Sequence, residues 1–147
     1  MIASLKPGID YIGVCVVFFC HDGKGNFLMG KRGPNARDEH GRWDIGSEAL
    51  EPGEDFEKTL QRGIKEEYSA KVLEYEFLGC RSVCRQQGYH ETHWVAIDFK
   101  VKIDPAEVKN GEPSKFDEIG WFNLKKLPAK THSQFPEFLN LYNSSLR

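Results

Sequence analysis

The chain has 147 residues, a length that one domain accounts for. A composition of 39% hydrophobic, 12% aromatic and 29% charged residues excludes a disordered chain, a coiled coil and a collagen-like repeat. The formal net charge of -2 gives no broad electrostatic pull toward nucleic acid or an anionic membrane.

Tyr11 to Cys20 is rich in Val, Ile and Phe, which suits a largely buried strand. The run is far shorter than the roughly 20 residues a membrane helix needs. Only Lys6 supplies a charged start, and no small-x-small cleavage site follows Cys20, so the chain reads as mature and cytoplasmic. His21 to Asn26 is a turn, with Asp-Gly and Gly-Asn pairs. Phe27 to Arg32 returns as the second arm of a hairpin and ends in two cations. Gly33 to Arg42 and Trp43 to Glu54 read as loops.

Asp55 to Ser69 reads as a helix with Asp55 as N-cap. Phe56, Leu60 and Ile64 recur at i, i+4 and i+8 and form its core stripe. Strands follow over Val72 to Val83, Trp94 to Ile103 and Ile119 to Phe122, then a terminal helix over Phe135 to Tyr142. This order predicts an α/β (α+β) layered sandwich with a mixed sheet in a single domain, residues 1–147. The strand from Trp94 is a candidate edge for pairing with a second copy as a homodimer. Cys80, Cys84, His90 and His93 have zinc-ligand residue types but no familiar zinc-finger spacing, and read as ordinary reduced cysteines beside loop histidines.

Residues 48–67 hold seven acids against three bases. At about 100° per residue, Glu67 lies beside the apolar stripe rather than opposite it. A carboxylate there needs a proton, a cation or a metal, and oxygen ligands suit Mg²⁺ or Mn²⁺. The spacing Glu54-x7-Arg62-x-Ile64-x-Glu66-Glu67 resembles the box of the Nudix hydrolase family, G-x5-E-x7-R-E-U-x-E-E-x-G-U with U aliphatic. Five of its nine specified positions match. The hairpin ending in Gly30-Lys31-Arg32, the stretch Glu112-Pro113-x-Lys115 and the later Trp121 and Leu127-Pro128 extend the likeness over roughly residues 11–130, toward the MutT-like subgroup that acts on nucleoside triphosphates.

The resemblance implies a loop-helix-loop that presents carboxylates to Mg²⁺ or Mn²⁺ and hydrolyses a nucleoside diphosphate linked to another moiety, first of all a nucleoside triphosphate to monophosphate and pyrophosphate. Glu66 and Glu67 would be metal ligands, and Glu54 and Arg62 the ion pair that fixes the loop, these four forming the catalytic set. Lys31 and Arg32 are candidates for phosphate contacts, and Trp43 either packs under the loop or borders the base. The expected partner is a small-molecule nucleotide, not a membrane or a dedicated nucleic-acid ligand. Base-recognising groups are expected from Gly33 to Arg42 and from Arg85 to His93, with Gln86, Gln87 and His90 as candidates.

Four positions depart from the box. Glu48 stands for Gly, Ser69 for a Gly suited to a helix end, Ala70 for a larger aliphatic residue, and Gly63 for the Glu that follows Arg. Three readings follow. The site is rearranged, with Glu48 or Glu51 supplying the missing carboxylate in an impaired enzyme. Alternatively, the fold is a non-catalytic nucleotide-binding module. In the third, Gly63 and Glu48 replace the residues of a parent with a complete box.

Overall fold

The computed structural model describes residues 4–147, the Gln87 side chain excepted. The strands are β1 (Gly13–His21), β2 (Phe27–Arg32), β3 (Trp43–Asp44), β4 (Gly46–Ala49), β5 (Val72–Gln87), β6 (His90–Ile103) and β7 (Phe116–Phe122). The helices are α1 (Phe56–Tyr68) and α2 (Phe135–Leu146). The strands form one mixed sheet in the order β3-β2-β1-β6-β5, with β4 paired to β1 and β7 to β2. The β1–β6 pairing is parallel and the others are antiparallel.

Side chains alternate across a strand, so β1 feeds both faces of the sheet. Val16, Phe18 and Cys20 join Leu60, Ile64 and Tyr68 of α1 in one core. Val17 and Phe19 join Phe135, Phe138 and Tyr142 of α2 in the other. The result is the expected layered sandwich, a sheet between two helices.

Two expectations are corrected. The segment after Trp43 is not a plain loop. It supplies β3 and β4, and β4 runs Gly46 to Ala49 antiparallel to β1. The strand carrying Trp94 is not an edge, because β6 lies between β1 and β5, and the edge falls to β5. Sequence bounds also moved at the β5–β6 hairpin, which pairs on as far as Gln87 and His90 and turns through Gly88 at φ +61°.

Helix α1 starts and stops on its own signals. Asp55 caps it by accepting a hydrogen bond from the Lys58 N–H at 2.8 Å. Ser69 ends it in the left-handed conformation, φ 57° and ψ 24°, where its N–H donates to the Lys65 carbonyl. Leu60 and Ile64 are fully buried, whereas Phe56 at the open first turn is partly exposed and meets Phe99 edge-on.

Candidate active site

The site gathers where α1, β4 and the loop before β7 meet. Arg62 is its hub. Its Nε and one terminal nitrogen clasp both oxygens of Glu54 at 2.9 and 2.8 Å. That same nitrogen donates to the Ala49 carbonyl at 2.8 Å, and the other lies 3.1 Å from Glu48. The bond to Ala49 ties helix to strand, and the clasp on Glu54 ties helix to loop. The Arg62 guanidinium holds the Glu54 carboxyl down to about 2.

Gly63 faces Glu48 one layer away. A Cβ built on Gly63 would stand 2.7 Å from the Glu48 Cβ and 3.1 Å from both the Glu48 Cγ and the Phe18 ring. Glu48 thus fills the space that a side chain at 63 would need. Carboxylate oxygens of Glu48, Glu66 and Glu112 lie within 4.8 Å of one another. Burial raises the Glu48 carboxyl above its ordinary range; Arg62 opposes that rise, and the neighbouring Glu66 adds to it.

Glu112 was not legible in the sequence as a site residue. The chain at 109–112 is clamped to the end of α1, with the Lys109 N–H donating to Tyr68 O and the Gly111 N–H to Glu67 O, both at 2.9 Å. Gly111 must be glycine here, since a Cβ would collide with the Glu66 carbonyl. Asn110 then turns the chain by accepting from the Glu112 N–H at 3.1 Å. An Asn-Gly-Glu run is the signal that could have pointed to it.

Glu67 is fully buried, and neither carboxylate oxygen has a hydrogen-bond partner among the described residues. Lys115 Nζ stands 3.8 Å away. Burial pushes the Glu67 carboxyl up to about 8, with Lys115 opposing the rise. Glu51 is largely exposed and stands outside the three-carboxylate group, with its oxygen 3.9 Å from Arg62.

Beside the carboxylates lies a cavity of about 420 Å³, whose lining includes Ser47, Glu48, Ala49 and Lys115 together with Arg81, Val83 and Phe138. Arg32 lines it, but its guanidinium is engaged by the Asp38 carbonyl and carboxylate at 2.8 and 2.9 Å. Lys31 and Trp43 do not line it. Trp43 instead packs edge-on against Phe122 with ring centroids 4.9 Å apart, in the core under α2. Of the expected recognition loops, Asn35, Ala36, Arg37, Asp38 and Arg85 line the cavity. Gln86 turns to the Gly88 carbonyl, and the Gln87 side chain lies outside the described residues.

An ion network holds the 33–42 loop over one side of the cavity. Glu39 accepts from Arg85 at 2.6 Å and from the N–H and hydroxyl of Ser133 at 2.7 and 2.8 Å, and His132 Nε2 lies 2.9 Å away. Asp38 takes Arg85 and Arg32, and these cations lower its carboxyl against the opposing effect of burial. Cys80, Cys84, His90 and His93 form no metal-ligating group among the described residues; His93 instead meets the Ser82 hydroxyl at 2.8 Å.

The donor set suits a hard divalent cation. It consists of carboxylate oxygens alone, and the buried oxygens of Glu67 have no hydrogen-bond partner among the described residues. Three acids so close together need neutralising charge.

Comparison with known proteins identifies the family. A family model described as the NUDIX domain matches residues 11–142. Among solved structures, the MutT NUDIX hydrolase of Burkholderia pseudomallei is 23% identical, with a TM-score of 0.75 over 88% of this chain and 96% of that one. A MutT protein of Methanosarcina mazei Go1 is also 23% identical, with a TM-score of 0.75 over 97% and 98% of the two chains. The NUDIX domain of NrtR from Shewanella oneidensis, solved with ADP ribose, is 15% identical with a TM-score of 0.70 over 97% and 91%. At these identities the likeness is one of fold. None of the curated proteins matches the chain.

Proposed function

The chain belongs to the Nudix domain family, and from that premise we propose that it is a metal-dependent pyrophosphohydrolase acting on a nucleoside diphosphate linked to a further group, a nucleoside triphosphate first. The observation that carries this reading is the exchange between positions 63 and 48. Glu48 fills the space beside Gly63, and its oxygens lie with those of Glu66 and Glu112, which supports Glu48 as the substitute for the carboxylate absent at 63.

Glu48, Glu66 and Glu112 would hold Mg²⁺ or Mn²⁺, with Glu67 behind them as a further ligand or proton acceptor. When bound, such a cation neutralises the diphosphate and makes water a better nucleophile at phosphorus. The chain supplies the rest. Arg62 holds Glu48 and Glu54 in place and locks β4 to α1, so the carboxylates keep their spacing. Lys115 carries a positive charge between Glu67 and the cavity, where a phosphate oxygen would arrive. The cavity receives the nucleoside.

The alternative is a module that holds a nucleotide without cleaving it. Gly63 is the observation behind it, together with the NrtR NUDIX domain, a relative in fold solved with ADP ribose. The test is product formation from nucleoside triphosphates and nucleotide sugars with Mg²⁺ or Mn²⁺. Turnover that falls at least about 100-fold in Glu48→Gln supports the rearranged site. Binding without turnover across the panel supports the module.

A further inference from the structure

The two faces of the β5–β6 hairpin are not used alike. One lines the cavity through Arg81, Val83, Trp94 and Ala96. The other continues the core beneath α1, which sits over its β1 side, where Leu60 and Ile64 join Val16 and Phe18. Register carries that face outward. Val16 pairs with Ile97 and Ile97 with Cys80; Phe18 pairs with Phe99 and Phe99 with Phe77. A register shift between Phe77 and Gly79 keeps Cys80 on the same side as Phe77. Alternation then puts Leu73, Tyr75, Phe77, Cys80, Ser82 and Cys84 of β5 on this one face. Phe99 is buried because Phe56, Tyr75 and Phe77 each meet it edge-on, with ring centroids 5.8 to 6.0 Å away. Those three aromatics are themselves 42 to 59% exposed, and Leu73 and Val14 beside them 56% and 37%.

None of these side chains is charged. The acids of the same stretch, Glu74 and Glu76, alternate to the other side, opposite Lys102 and Lys100. A contact between two copies across a two-fold sets a patch against itself, so a charge near its centre would meet its own sign. An uncharged apolar face meets that condition. From the fractional exposures it offers roughly 600 Å² of mostly apolar surface, close to the about 800 Å² per partner of a stable interface. Stacked sheets lie about 10 Å apart, the thickness of one helix layer, so each α1 can flank the partner's β5 without holding the sheets apart. Glu74 and Glu76 on the edge strand, together with its register shifts, oppose open-ended pairing along the backbone instead. We propose that the outer face of β5 and β6, centred on Tyr75 and Phe77, is the interface of a two-fold homodimer. The cavity, on the opposite face, stays open in both copies.

Sedimentation equilibrium of the full chain between about 1 and about 100 μM is expected to show the mass of two chains and no larger species. Phe77→Lys sets a charge where the two faces meet and is expected to weaken the dimer by about 100-fold or more. Leu141→Lys, at a similarly exposed leucine of α2, is expected to leave it intact. Cys80 gives a readout that needs no substitution, since it is an exposed thiol on the proposed interface. Its alkylation, located by peptide mass spectrometry, should slow as the parent chain is concentrated. A chain that is monomeric at about 100 μM overturns the proposal. So does a dimer that Phe77→Lys and Leu73→Lys both leave intact. Where these variants fail to fold, a Cys80 alkylation rate in the parent that does not change with protein concentration overturns it. A monomer that co-sediments with phosphatidylcholine vesicles assigns the face to lipid and overturns the dimer as well.

Discussion

Gly63 and Glu48 occupy one volume between them: a Cβ on the helix residue would lie 2.7 Å from the Cβ of the strand residue. The family box has the opposite residues, glutamate at the position of Gly63 and glycine at that of Glu48. Each residue is therefore tolerable only because of the other. Gly63→Glu alone is expected to destabilise the chain by about 2 kcal/mol, since it overpacks against Glu48 and Phe18 despite the better helix propensity. Glu48→Gly with Gly63→Glu together should recover most of that loss, with a coupling of at least ~1 kcal/mol in a double-mutant cycle read by urea denaturation. Additive effects would mean that the two positions do not share space.

The buried carboxyl of Glu67 makes a pH signature. Its folded pKa of about 8 lies above the ordinary 4.5. Between these values the folded state keeps a proton that the unfolded state has released. The group's contribution to metal-free stability is thus complete below about pH 4.5 and is lost as pH rises through 8. Denaturation of metal-free protein at several pH values from 5 to 9 should show this decline, and Glu67→Gln should flatten it.

If Glu67 must ionise to take part in metal binding, Mn²⁺ affinity should rise about tenfold per pH unit below 8 and level off above. Titration of Mn²⁺ at fixed ionic strength gives this directly. A pH-independent affinity would remove Glu67 from the proposed metal site.

Arg62 holds Glu54 ionised by two hydrogen bonds. In Arg62→Met the Glu54 carboxyl should return from about 2 toward its ordinary 4.5, as read by NMR titration of side-chain carboxyl carbons. The sign follows from the depressed value: the contribution of Glu54 is present above 4.5 and lost as pH falls through 2. Activity should fall with it, because Glu48 loses its cation and β4 its tie to α1.

Ser69 adopts a left-handed backbone that favours glycine. Ser69→Gly is expected to stabilise by about 1 kcal/mol and to raise the melting temperature by roughly 3 °C. A drop instead would mean that the serine side chain contributes something the helix end needs.

Helix α1 was legible because its information is local. Asp55, the apolar stripe at Leu60 and Ile64, and the angular place of Glu67 beside that stripe can all be counted along the chain. Strands β3 and β4 were not, because two and four residues carry too little pattern and β4 takes its form from pairing with the distant β1. Glu112 was missed for a related reason. Its place depends on the backbone of residues 109–111 docking on the end of α1, which the Asn110-Gly111-Glu112 turn signal marks as a turn but does not dock. The cations at the end of β2 were conspicuous in sequence, yet Arg32 is engaged by Asp38, while Arg81, with no motif around it, reaches the cavity.

The parallel pairing of β1 with β6 has a consequence for how the chain is made. Gly13 lies opposite Trp94 and His21 opposite Lys102, partners that follow about 80 positions later. During synthesis the apolar central strand emerges long before the neighbour that completes the sheet. Contacts of such separation slow folding and leave hydrophobic edges exposed while the ribosome works. The carboxylates obey the same schedule, since Glu48 and Glu66 are made well before Glu112. A truncated or stalled chain that ends before residue 112 would carry the family's box and lack the assembled site.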